Sequence, residues 1–474
     1  MAITILSQPQ NYHAGYNPVK FVIDSTNKNN PGFRYIVEIF DKGTSIKLAE
    51  FDVAPDPTDN GKGKIDISRI ISNKLDKYIN IVTNTVAHAT TTYYNYDIKF
   101  GESYSSEWSF TDYGFNNDFV GGNTGLFQSP QVTPHTFVVG DQVYVETNVT
   151  YNDNRSSLTG YFTVIGVVNP YDIVISLTDV GSFPTTPGKV RYADFRKVRT
   201  YAMTNILDLV AVNVAQDILE YSNSQGGLNG YVLSAATSNN LTNLPDNFYA
   251  TPDQTMFLNM LEANSSGFVY FENDGGDIFR KVNGGSFTVK STGIGPSNVG
   301  STTTVSGTAP LIKPDTKYYD VWVTDNSFNQ NGKKLRINLD NRCKINDSEV
   351  LFMDRKGSFM SFALQLRNFE SIATTKEQYR QYIDGTYSTT SQGLTTYHSK
   401  YEKMMVFHTN FMTDEMSRYF EEVYTSPYTY IKWEGNWYAA IIEDGNFQTE
   451  RIKNNTLIRK TISVRFAVNA PVNI

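Results

Sequence analysis

At 474 residues the chain has room for about three domains, each able to bury its own core. Its 41 Lys and Arg against 48 Asp and Glu leave a net charge of −7, which argues against binding nucleic acid through a general basic surface. A single cysteine, Cys343, excludes an intrachain disulfide framework.

Hydrophobic residues make up 40% and charged residues 19%, both low, and Asn, Thr, Ser, Gly and Tyr fill the gap. Tyr, Thr and Val favour strands, while Asn and Gly favour turns. The composition suits an extracellular-type β protein or a viral structural protein. The opening MAITILSQPQNY has no basic segment before an apolar core, so no signal peptide is expected. No run of about 18 apolar residues is present to span a membrane. The expected folding compartment is a reducing cytoplasm.

In chain order, residues 1–120 read as a first β-sandwich of immunoglobulin or fibronectin type. Val19–Asp24, Phe33–Phe40, Ile46–Val53 and Tyr93–Phe100 are its strands. Asp66 caps a short helical pattern through Ile67, Ile70, Ile71 and Leu75. Residues 130–200 read as a small inserted SH3-like barrel, with strands at 137–145, 160–168 and 173–177. Residues 201–325 read as a second sandwich. Within it, Ile206, Leu209, Val210, Val214 and Ile218 fit a helix face, although their β-branched content weakens it.

Residues 326–474 read as an α+β domain built on Glu349–Leu366. Two apolar runs, Val350–Met353 and Phe359–Leu364, flank the turn Asp354-Arg355-Lys356-Gly357-Ser358, which is a hairpin signal. The polar stretch Thr374–Thr396 reads as a long exposed loop. Thr413 caps a helix with Met416, Tyr419, Phe420 and Val423 on its apolar stripe. Tyr428–Trp433 and Trp437–Glu443 pair across Glu434-Gly435-Asn436, and Thr456–Val468 is a final alternating strand. The fold class is therefore mainly β and multi-domain: immunoglobulin-like sandwiches, one small SH3-like barrel and a few short helices.

The chain carries no catalytic motif. Its five histidines have no metal-ligand spacing, and P-loop, dinucleotide and Gly-x-Ser-x-Gly patterns are absent. No cofactor is expected. Cys343 reads as a buried, inert thiol. Carboxylate neighbours such as Glu421-Glu422 and Glu443-Asp444 read as solvated faces. Asp354, Arg355 and Lys356 at the hairpin turn, with Trp433 and Trp437, are the candidate assembly or interface residues. Turn geometry is the simpler explanation for Asp354 and Arg355, and for the two tryptophans a core or interface role on paired strands outweighs a sugar-stacking surface.

Three stretches add a resemblance. The C-terminal order of helix, Ser426-Pro427, strand, Glu434-Gly435-Asn436-Trp437, strand and final strand resembles the end of distal-tail and tail-hub proteins of tailed bacteriophages. Pro18–Asn27 followed by Phe33-Arg34-Tyr35, and Leu351–Ser358, resemble structural proteins of phages infecting Bacteroidetes, including crAss-like phages. The resemblance implies a non-enzymatic virion protein of the tail or tail barrel, assembled in the host cytoplasm. It implies rings of six or twelve copies, beside other tail, portal or ring proteins. DNA would pass through the lumen without sequence-specific binding, and no membrane would be involved. A receptor- or glycan-binding adhesin is the second reading, and a carbohydrate-active enzyme with accessory β domains the third.

Overall fold

The structure is a computed structural model. It describes residues 3–30, 32–79, 86–104, 107–116, 124–128, 137–151, 154–156, 159–169, 172–176, 188–261, 267–283, 288–299, 310–325, 327–342, 344–382, 385, 388–391, 393–443 and 458–467. Cys343 and Asp444 lie outside the described residues. As the composition implies, the chain is mainly β, with sandwiches, a small barrel and a few short helices. It divides into two compact units. The first holds 1–12, 18–70 and 95–211, and the second 13–17, 71–94 and 212–474.

In the first unit, β1 (Ile3–Ser7), β2 (Lys20–Ser25) and β5 (Gly63–Asp66) form a three-stranded sheet. β3 (Arg34–Asp41), β4 (Lys47–Val53) and β6 (Tyr93–Ser103) belong to a larger sheet. Phe21 on β2 and Phe100 on β6 meet with ring centroids 5.5 Å apart, and Ile23, Tyr35, Val37, Ile39 and Ile98 are buried around them. Asp66 starts the short helix α1 (Ser68–Ser72): its carboxylate accepts from Ser68 N at 2.9 Å and from Val19 N at 3.1 Å.

The barrel of this unit is closed. β7 (Glu107–Asn116), β8 (Thr124–Gln128), β9 (Gln142–Tyr151), β10 (Thr159–Asn169), β11 (Asp172–Ser176) and β12 (Gly188–Val212) pair in the order β9-β10-β11-β8-β7-β12. β12 then pairs back onto β9. Closure removes free edges, which a small sheet would otherwise leave open to other chains. The barrel begins earlier than 130, because β7 and β8 belong to it.

β12 also resolves the stretch 202–222, whose pattern was ambiguous between helix and strand. It runs extended to Val212, and only Ile218–Ser224 is helical, as α2, capped by the Asp217 carboxylate. Ile206 and Val210, two of the β-branched residues that weakened the helical pattern, lie in the strand.

In the second unit, β13 (Phe248–Ala250), β15 (Gly267–Asn273), β16 (Ile278–Asn283), β18 (Tyr318–Thr324) and β19 (Gln330–Leu339) form a five-stranded sheet in the order β13-β19-β18-β15-β16. The other sheet contains β14 (Phe257–Leu261), β17 (Val289–Gly293), β20 (Glu349–Met353), β21 (Phe359–Ala363), β22 (Phe369–Arg380), β23 (Leu394–His408), β24 (Thr429–Trp433), β25 (Asn436–Ile442) and β26 (Thr461–Phe466). Its order is β22-β23-β26-β25-β24-β20-β21-β14-β17, followed by the two-residue strand Ala87–His88. A domain boundary at 325/326 does not describe this unit: β14 and β17 are strands of the same sheet as β20–β26.

β20 and β21 sit at the centre of that sheet, and every residue of both is buried. Alternate side chains serve opposite faces. Val350, Phe352, Met360 and Phe362 join the main core with Val269, Phe271, Val321 and Ile337 of the five-stranded sheet. Leu351, Met353 and Phe359 join Phe257 on the other face. Two short helices, α3 (Asp414–Tyr419) and α4 (Glu421–Thr425), cover the first face. Thr413 caps α3 through Met416 N, as its sequence implies. Phe362 lies 4.9 Å from Phe420, 5.6 Å from Phe248 and 5.8 Å from Phe352, centroid to centroid.

The polar stretch 374–396 is a further correction. Its described residues are mostly exposed, but its flanks are strands: β22 and β23 pair from Phe369↔Val406 to Arg380↔Leu394. Thr and Tyr recur through both segments, and their strand preference outweighs the polarity that suggested a loop.

Phe362 stands at the centre of the aromatic cluster, so Phe362→Ala should cost about 3–5 kcal/mol of unfolding free energy by urea denaturation. Phe369→Ala, at a half-exposed position, should cost about 1 kcal/mol or less.

Candidate functional site

The turn joining β20 to β21 is the most densely bonded polar site described in the second unit. Gly357 takes φ +87° there, and a Cβ on it would meet Asn213 O at 2.3 Å. Both facts require glycine. Asp354 folds its side chain back over the turn and is buried. Its Oδ1 accepts from Lys356 N and Ser358 N, each at 3.0 Å. Its Oδ2 accepts from Thr242 Oγ1 at 2.8 Å, Tyr419 OH at 3.2 Å and Asn243 N at 3.3 Å.

The neighbouring backbone is equally satisfied. Arg355 N donates to Glu422 Oε2 at 2.8 Å, and Ala215 N to Arg355 O at 2.6 Å. Asn259 Nδ2 donates to Gly357 O at 2.6 Å. Asn243 Nδ2 donates to Glu422 Oε1 at 2.7 Å, so Asn243 bridges the two carboxyls. Lys356 is buried, pairs with Glu220 and lies 4.9 Å from the Tyr231 ring centroid. Of the three turn residues, only Arg355 offers side-chain surface. A cavity of about 240 Å³ opens beside it, lined by Tyr16, Asn213, Met353, Asp354 and Pro427 among others.

Burial pushes the Asp354 carboxyl up to about 7, and the adjacent Glu422 carboxyl adds to the effect. The hydrogen-bond donors oppose it without winning. Burial also raises Glu422. At the start of β20, burial raises Glu349 to about 7, against the pull of Lys432, whose Nζ lies 3.4 Å away. Burial lowers the Lys356 ammonium, but Glu220 and Tyr231 outweigh it and the net shift is upward.

Trp433 and Trp437 take opposite faces of the sheet. Trp433 packs on the main core, with Phe407 at 5.8 Å, and Trp437 packs on the Phe257 cluster. Both are half-buried. Glu422 is one of the four carboxylates read from sequence as solvated faces; the structure buries it. Thr242, Asn243, Tyr419 and Glu220 were not distinguishable as partners of the turn, because no local spacing links positions more than 60 residues away. Among the described residues, no group of three or more His, Cys, Asp or Glu is placed to hold a metal. No helix among them is long and apolar enough to cross a membrane.

Two surfaces stand out. On the five-stranded sheet, Tyr270 and Trp322 stack at 5.5 Å, and Phe268 and Phe328 at 5.5 Å. Lys334 Nζ lies 4.0 Å from the Trp322 centroid, and Arg280 4.7 Å from that of Phe268. These ring faces are covered by each other and by cations. The second surface is the β22–β23 hairpin. Among the described residues β26 pairs with β23 only over Met404–His408, so among them 372–380 with 394–403 form a two-stranded arm. Ile372, Tyr379, Tyr382, Leu394 and Tyr397 are exposed on it, Tyr382 at 89%.

No protein-family model matches the chain, and no curated protein matches it by sequence. Among solved structures, it aligns with the phage phi92 endosialidase at 10% identity, over 100% of this chain and 70% of that one, with a TM-score of 0.18. It also aligns with Escherichia coli alpha-2-macroglobulin activated by porcine elastase at 8% identity, over 86% of this chain and 42% of that one, with a TM-score of 0.15. Scores this low carry no argument about fold or function.

Raised carboxyl groups bind protons more tightly in the folded chain than in the unfolded one. Stability contributed by Asp354 and Glu349 should therefore be largest near pH 4 and fall as pH rises through about 7. Urea midpoints from about pH 5 to pH 8 should show that decline, and Asp354→Asn should make it shallower while the Glu349 contribution remains. Asp354→Ala, which strands five donors, should cost at least about 3 kcal/mol at any pH in the range.

Proposed function

We propose that this chain is a structural protein of a bacteriophage virion, a component of the tail or tail barrel. In this reading, copies assemble in the host cytoplasm into a closed ring of six or twelve. Other tail, portal or ring proteins flank it, and DNA leaves through its lumen. The protein acts by assembly and carries out no reaction.

The observation that carries the reading is the β22–β23 arm. An isolated two-stranded hairpin is marginal in water. This one has 12- and 15-residue strands and bears exposed Ile, Leu and Tyr side chains. Such an element gains stability when another molecule covers it, which is what a protein built for assembly requires. The C-terminal order that carries the sequence resemblance is present as α3, α4, β24, β25 and β26. The acidic balance fits a lumen along which DNA slides without adhering.

One observation favours the adhesin reading. The Tyr270–Trp322 face is an aromatic surface of the kind that meets sugars. Its ring faces are already occupied by neighbours, which leaves only ring edges for a glycan.

Electron microscopy of particles containing the chain, with mass measurement of the purified protein, tests the reading. Rings of six or twelve on a tail or portal are expected. A compact trimer at a fibre tip, or a monomer never found in particles, would contradict it. Replacing 374–401 with Asn-Gly would close the hairpin after the Ala373↔Glu402 pair. The shortened chain should fold and remain monomeric, because the removed residues add nothing to the described core clusters.

A further inference from the structure

We infer that the free edge of β22 pairs with the same edge of a second copy, antiparallel, about a two-fold axis at Thr375. The inference rests on the reading that copies of this chain assemble, and it specifies one of the contacts between them.

β22 ends the strand order of its sheet, so among the described residues one of its edges has no partner strand. Over Phe369–Arg380 it has no proline, and its alternation is unbroken. The one register shift, at Glu377/Gln378, places the extra residue on β23, between His398 and Thr396. Long, regular free edges recruit strands.

Symmetry narrows the register. A two-fold axis between antiparallel strands stands normal to the sheet and leaves each residue on its own face. Paired residues must then have the same parity, and the axis must pass through one residue. An axis at Lys376 sets Lys against Lys, and one at Glu377 sets Glu against Glu. An axis at Thr374 forms no ion pair. An axis at Ala373 sets Glu370 opposite Lys376 but leaves the last residues of the strand unpaired. An axis at Thr375 sets Glu370 opposite Arg380 at both ends and pairs the strand from 370 to 380. Glu370 also holds Lys403 of its own arm at 2.8 Å. Arg380 has no ion-pair partner among the described residues, and this register supplies one.

The self-complementary charge pattern is what selects a second copy over a foreign chain. The contact is isologous, so the number of copies is even and rings built through it face each other in pairs.

The test uses the full chain carrying Cys343→Ser. Glu370→Arg or Arg380→Glu alone turns both symmetry-related ion pairs repulsive, and each should weaken self-association about tenfold by sedimentation. The double reversal restores both pairs and should recover wild-type association. Thr375→Cys, on the axis, should form a disulfide-linked dimer on oxidation, and Ile372→Cys, opposite Gln378, should not. Failure of the double reversal to rescue, or of Thr375→Cys to cross-link in a chain that assembles, would overturn the pairing and leave the ring reading standing. Cross-linking only to a different protein would also overturn it. A chain that associates with itself neither in solution nor in particles would overturn both.

Discussion

The Asp354 carboxylate holds together segments that sequence separates widely. It accepts from the turn itself, from 242–243 and from α3, while the adjoining backbone binds 213–215, Asn259 and Glu422. A buried carboxylate is costly, and it is tolerated here because every donor around it is aimed at an oxygen. The β20–β21 hairpin that ends in this turn supplies core to both faces of its sheet. Loss of the turn geometry would shift the register of the hairpin and exchange those faces. Gly357 permits the arrangement, since no side chain fits between it and Asn213.

Much of this was legible locally. Apolar runs at Val350–Met353 and Phe359–Leu364, with a Gly-containing turn, announce a hairpin by themselves. The Thr413 cap and the Trp433–Trp437 strand pair are likewise local signals, and the structure contains them. What was not legible depends on distance along the chain. Nothing near Glu422 distinguishes it from Glu421, yet one is buried against the Arg355 amide and the other is not. The union of β14 and β17 with β20–β26 in one sheet follows from long-range pairing that local patterns do not encode. At Ile206–Val212, periodicity favoured a helix and β-branching a strand, and sheet pairing settled it in favour of the strand.

The arm is the opposite of the turn. At the turn both Asp354 carboxylate oxygens are matched within the unit; on the arm, apolar side chains are left exposed and, among the described residues, a strand edge is left open. A doubly packed sheet that carries a projecting hairpin is suited to making contacts. The sheet holds the base of the arm through β23 and β26, so force on the arm is carried into the core. In the proposed assembly, that connection would couple a copy to its partner across the two-fold axis.

Hydrogen–deuterium exchange along β22 most directly tests whether the arm is an assembly element. In the free monomer, amides of 372–380 should exchange quickly while those of β20 and β21 stay protected. In the assembled particle the β22 amides should become protected to a similar degree. Unchanged, rapid exchange of β22 in the assembled particle would show that the arm remains uncovered there, and would contradict its role in assembly.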